Sequence, residues 1–106
     1  MTLDKLLAKI RLVFPDADVT DIKRQLDEYT GPDRLRVQLA IVKLSDEDNR
    51  DSPKHYVDTA RQDYRDVLTW AEHPQQLRPD WFTLSVTERA KVTKADRQQY
   101  ARWLAR

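Results

Sequence analysis

One glycine in 106 residues is the strongest constraint on what this chain can fold into. Glycine supplies the left-handed and mirror-image conformations that close tight hairpins. A chain with a single glycine has few ways to build an antiparallel sheet. Gly31 stands in Thr30-Gly31-Pro32, between two segments whose apolar residues recur at helical spacing. Elsewhere the chain is punctuated by prolines and helix-capping residues. The expected architecture is all-α: a single-domain bundle of five short helices, or six if the last is broken. Gly31 is expected to supply the left-handed turn that ends the second helix, with Pro32 opening the third.

Hydrophobic residues make up 40% and charged residues 35%, a mixture too apolar for disorder and too polar for a membrane protein. A chain of 106 residues fits one domain with a small core. The longest apolar run, Leu39 to Val42, is far short of a bilayer span. Met1-Thr2-Leu3-Asp4-Lys5 does not have the layout of a signal peptide. With no cysteine, disulfides and thiolate metal sites are excluded. A cytoplasmic protein is expected. The net charge of +1 hides a gradient of +1 over residues 1–44, −4 over 45–77 and +4 over 78–106. The acidic middle and basic tail can pair within one bundle or between two chains.

Helices are expected over residues 2–14, 19–29, 32–44, 53–72 and 86–105, the last either continuous or broken near 92. Thr2 caps the first, whose stripe is Leu3, Leu6, Leu7, Ile10, Val13 and Phe14, and Pro15 ends it. The third is apolar on two seams, Leu35-Leu39-Val42 and Val37-Ile41-Leu44, and is therefore placed at the centre. Residues 45–52 read as a polar loop, with Ser52 and Pro53 starting the fourth helix. Residues 73–84 read as an irregular connector whose Leu77, Trp81, Phe82 and Leu84 fold back over the core. Ser85 to Glu88 and Thr93 to Asp96 are both capping-box-like. The expected core is Leu6, Ile10, Phe14, Ile22, Leu26, Leu39, Val42, Tyr64, Val67, Leu68 and Leu104.

Motifs that carry chemistry are scarce. The run Asp46-Glu47-Asp48-Asn49-Arg50-Asp51 invites comparison with a calcium loop. Counted from Asp46, the required glycine falls on Asp51 and the bidentate Glu on Val57, so the match fails. His55 and His73 sit 18 residues apart, at opposite ends of a helix about 27 Å long, and cannot share a metal. Asp63, Arg65, Asp66 and Glu72 point outward at different angles and read as a salt-bridged face. Nucleophile elbows, phosphate loops and dinucleotide fingerprints each need several glycines. Enzymatic activity, cofactors, metals and membrane binding are not expected. Two surfaces remain. Trp81 and Phe82, flanked by Pro79 and Thr83, are either core cover or an exposed patch for a partner. The basic tail, with Lys91, Lys94, Arg97 and Arg102 interleaved by Tyr100 and Trp103, is either a solvated helix face or a nucleic-acid contact.

Two resemblances accompany these residues. The segment Tyr64-Arg65-Asp66-Val67-Leu68-Thr69-Trp70-Ala71-Glu72, followed by Ala95-Asp96, Gln99-Tyr100 and Trp103-Leu104, resembles a group of small bacterial all-helical proteins, a domain of unknown function. That likeness implies a stand-alone cytoplasmic protein and brings no activity with it. Over residues 6–44, Phe14-Pro15, Ile22, Leu26, Gly31 and an apolar third helix are similar to ubiquitin-binding CUE domains and related UBA-like three-helix modules. This second likeness implies a binding role in which Val13, Phe14 and Pro15 touch the partner. The dileucine that those domains carry late in their third helix is replaced here by Val42 and Leu44.

The expected function is that of a non-enzymatic protein-protein interaction module, self-associating or binding another protein. Trp81, Phe82, Phe14 and Pro15 are the candidate contact residues. The alternative is nucleic-acid binding through Lys91, Lys94, Arg97 and Arg102 on the C-terminal helix.

Overall fold

The computed structural model describes residues 2–106. Among them are five α-helices: α1 (Leu3–Val13), α2 (Val19–Leu26), α3 (Arg34–Glu47), α4 (Lys54–Glu72) and α5 (Val86–Ala105). Two 3-10 turns, Pro74–Leu77 and Trp81–Thr83, join α4 to α5. The fold is all-α.

α3 organises the rest. Every residue from Val37 through Ser45 is buried, so this helix is enclosed on all sides. α4 and α1 pack against it, and α2 fits against α1 and α4. Leu6 and Ile10 from α1, Ile22 and Leu26 from α2, and Val57, Ala60, Val67, Leu68 and Ala71 from α4 complete the core around α3. α5 docks through its C-terminal half, where Asp96, Tyr100 and Trp103 are its buried residues. The molecule measures 45 × 29 × 24 Å.

α5 is held by α1 at its C-terminal end. Lys9 is 1% exposed, and its ammonium donates to the Trp103 and Arg106 carbonyls, the latter at 3.2 Å. It also lies 4.4 Å from the centre of the Trp103 ring. Lys5 donates to the Leu104 carbonyl at 2.9 Å. These cations bind carbonyls of the last helical turn, where the Trp103 carbonyl also accepts from the Arg106 amide at 3.3 Å, and complement the helix dipole. Burial, then the repulsion of Arg106 and Lys5, pushes the Lys9 pKa below its ordinary value, against the pull of Asp46. The Trp103 indole N–H donates to Asp46 Oδ2 at 3.1 Å, tying α5 to α3.

Several boundaries differ from expectation. α2 stops at Leu26 instead of continuing to residue 29. The Gln38 amide donates to the Leu26 carbonyl at 2.8 Å, and Glu28 and Tyr29 turn back onto Gln25 and Leu26 in tighter i→i+3 bonds. Gly31 does not take the left-handed conformation. Asp33 and Asn49 do, each with φ of 52°. Asp33 is therefore the N-cap position, and α3 starts at Arg34, two residues after Pro32. α3 then runs to Glu47 through part of the expected polar loop. The Ser45 hydroxyl donates to the Ile41 carbonyl at 2.9 Å, and Lys43 pairs with Glu47.

α4 is interrupted at Asp63, whose φ of −153° and ψ of 102° are extended. Neither proline nor glycine causes this break. The Asp63 carboxylate accepts from the Arg65 amide at 3.0 Å, the bond of an N-cap, and a second helical stretch begins after it. α5 is continuous. Ser85 caps it by accepting from the Glu88 amide at 3.1 Å, and Thr93 lies inside the helix. Of the expected core, Tyr64 and Leu104 are half-buried at its edge, and the other nine residues are buried.

Candidate functional site

The connector between α4 and α5 contributes no buried residue, which corrects the expectation that it covers the core. Trp81 is half-buried, whereas Phe82 is 85% exposed and Val86 84%. Leu77, in the first 3-10 turn, is also exposed. Arg89 holds this segment. Its guanidinium donates to the Trp81 carbonyl at 3.1 Å and the Phe82 carbonyl at 2.8 Å, and lies 5.7 and 5.8 Å from the two ring centres. The Ser85 cap and these bonds fix the backbone while Phe82 and Val86 project into solvent. The result is an apolar ledge on a braced turn.

Basic side chains follow the ledge along α5. Lys91, Lys94, Arg97 and Arg102 are exposed, and none has a salt bridge among the described residues. The interleaved aromatics face the other way. Tyr100 and Trp103 are buried, with ring centres 5.9 Å apart. The outer face of α5 thus offers charge without aromatic rings for stacking on bases. In the acidic segment, Asp46, Glu47, Asp48, Asp63 and Glu72 have a basic partner within the chain, whereas Asp51, Asp58 and Asp66 have no salt bridge among the described residues.

Phe14 is 4% exposed and belongs to the core, leaving Pro15 as the part of that turn that solvent reaches. Val42 and Leu44 are likewise buried in α3. The turn and the ledge are not one surface. Phe14 and Pro15 share a groove with Val13, Asp16, Ala17, Arg50 and Asp51, and neither Phe82 nor Val86 lines it.

Sequence patterning gave no sign of a third feature, a cleft of about 350 Å³ between α3, the end of α4 and α5. Arg36 and Glu72 form one wall as a two-bond pair, at 2.9 and 2.6 Å. The Glu72 carboxylate holds the Arg36 pKa above its ordinary value against the opposing effect of burial. His73, Tyr100, Ala101 and Leu104 line the remainder, with the exposed Arg97. Among the described residues, three buried side-chain polar atoms lack a hydrogen-bond partner, and two of them, the Tyr100 hydroxyl and His73 Nδ1, belong to residues of this cleft. Burial, followed by the Glu72 charge, pushes the Tyr100 phenol well above its ordinary pKa, so it is neutral. An unpartnered buried hydroxyl costs about 1–3 kcal/mol.

A larger groove of about 610 Å³ runs between the turn at Gly31 and the break in α4. The Tyr29 hydroxyl donates to the Pro32 carbonyl at 2.6 Å, and Asp63 is held by Arg65. Among the described residues, no cluster of His, Asp and Glu is placed to hold a metal ion, and no helix is long and apolar enough to cross a membrane. Comparison of the chain with protein-family models, curated proteins and solved structures returns no significant match.

Proposed function

We propose that this protein is a non-enzymatic protein-protein interaction module whose contact surface is the ledge at Phe82 and Val86, and whose partner is an acidic protein segment. The observation that carries the reading is the exposure of these two large apolar side chains, 85% and 84%, on a backbone that Arg89 and Ser85 hold in place. Large apolar groups on a rigid frame supply the desolvated centre of an interface at little entropic cost. Lys91 and Lys94 continue from the ledge without acidic partners, so a complementary surface is negatively charged. Pairing two ledges would set two basic α5 faces side by side, which disfavours a second copy of this chain.

Nucleic acid is the second reading, favoured by the unpaired row of Lys91, Lys94, Arg97 and Arg102. With Tyr100 and Trp103 buried, such binding reduces to phosphate contacts, for which Phe82 and Val86 have no use. A photo-cross-linking residue at position 82, in the cells that make the protein, separates the cases. The expected result is a discrete adduct with one acidic protein, absent when the same group replaces Asp58. An adduct with nucleic acid supports the second reading. Position 82 giving the same diffuse background as position 58 overturns the proposal.

A further inference from the structure

We propose that the acidic segment received by the ledge is a helix laid antiparallel along α5, with its apolar anchor on Phe82 and Val86 and its acids about two and three turns before that anchor. The inference rests on the interaction-module reading and specifies the shape of the partner. Val86, Ala90, Lys94, Arg97 and Ala101 are all exposed. At about 100° per residue they fall within one strip of α5 about 80° wide and about 22 Å long, beginning at the ledge.

The charge along that strip has one sign. Lys94 and Arg97 have no salt bridge among the described residues. The two acids of α5 lie elsewhere. Asp96 is buried and accepts from the Gln75 amide at 3.3 Å. Glu88 stands about 160° round the helix from the middle of the strip. A complementary surface therefore places acids opposite Lys94 and Arg97, about 12 and 16 Å along α5 from Val86. A helix meets this demand. It satisfies its own backbone, whereas an extended segment needs a strand edge to pair with, and the described residues include no strand. Acids eight and eleven positions from the anchor share its face of the partner, as Lys94 and Arg97 share a face with Val86. Antiparallel packing opposes the two helix dipoles and brings those acids into the partner's first turns, where they complement its own dipole.

The test is titration of the full chain with a hydrocarbon-stapled helical peptide, followed by amide chemical shifts. The matched peptide carries a paired leucine anchor, with glutamates eight and eleven positions before it. An isomer of equal helicity has both glutamates moved by two positions, about 200° round the helix. The matched peptide is expected to shift the Val86, Ala90 and Ala101 amides saturably. It should bind about fivefold more tightly than the isomer, the preference that two exposed ion pairs supply. A Lys94→Glu, Arg97→Glu double variant should lose that preference, and a peptide with lysines in place of both glutamates should recover it on that variant. Equal affinity for the two peptides, both lost with Phe82→Ser, Val86→Ser, would overturn the helical register and leave the ledge reading standing. Affinity unchanged by Phe82→Ser, Val86→Ser would overturn both. Shifts of the matched peptide that do not saturate by about 1 mM would overturn the helical partner, while the cross-link at position 82 judges the ledge by itself.

Discussion

A Cβ at Gly31 would lie 2.7 Å from the Tyr29 hydroxyl and 2.9 Å from the ring carbon that bears it. That hydroxyl cannot swing aside freely, because Tyr29 is buried and bonded to the Pro32 carbonyl. Gly31→Ala is therefore expected to destabilise the fold by about 1–3 kcal/mol, read as a lower urea midpoint with an unchanged slope. The need for glycine here was legible in the sequence, but its cause was not. The left-handed turn sits at Asp33, and what forbids a side chain at Gly31 is space. Asp27 carries the clearest pH dependence. Burial alone would raise its carboxyl, but hydrogen bonds from Lys23 and Gln38 and the charges of Lys23 and Arg34 hold it below the ordinary value. Its stabilising contribution is then present above the unfolded carboxylate range, near pH 4, and lost as pH falls through the folded pKa. Allowing for solvent screening of this half-exposed group, Asp27→Asn should cost about 0.5–1 kcal/mol at pH 7. The difference from the parent should close in urea titrations taken progressively below pH 4.

Between elements, the joint that matters most is the grip of α1 on the end of α5. Lys9→Met keeps the aliphatic stem but removes the donor, leaving the Trp103 and Arg106 carbonyls without it. A loss of about 1–3 kcal/mol is expected in urea unfolding, with α5 amides the first to gain exchange with solvent. Nothing in the sequence around Lys9 announces this. The residue falls beside Leu6 and Ile10 on a stripe that reads as ordinary α1 packing, and its partners are more than 90 positions away. The helices themselves were far more legible, since 3.6-residue periodicity and prolines act locally. Their interruptions were less so. Asp63 breaks α4 by capping a new start from mid-helix, and a lone aspartate in a periodic stretch looks like any other solvent-facing residue. The candidate cleft was illegible for the same reason as Lys9, because Arg36, Glu72 and Tyr100 meet only when three helices assemble.

At the scale of the whole molecule, the protein divides into a packed body and a projecting end. The body, organised by α3, holds the buried side chains. The connector and the first turns of α5 bury none, yet carry Leu77, Phe82 and Val86. Sequence patterning marked Trp81 and Phe82 as either core cover or contact surface and placed the whole connector on the core. It could not choose correctly because an apolar residue has the same signature in both roles, and the choice depends on where α5 leads the chain. If Phe82 and Val86 serve something outside the fold, their removal leaves the fold's stability unchanged. The most direct test is urea unfolding of the isolated Phe82→Ser, Val86→Ser double variant beside a core variant, Val57→Ala. The expected unfolding free energy of the double variant lies within about 0.5 kcal/mol of the parent, against a loss of about 1–3 kcal/mol for the core variant. A double variant as destabilised as Val57→Ala would show that the ledge belongs to the core and that its side chains serve the fold.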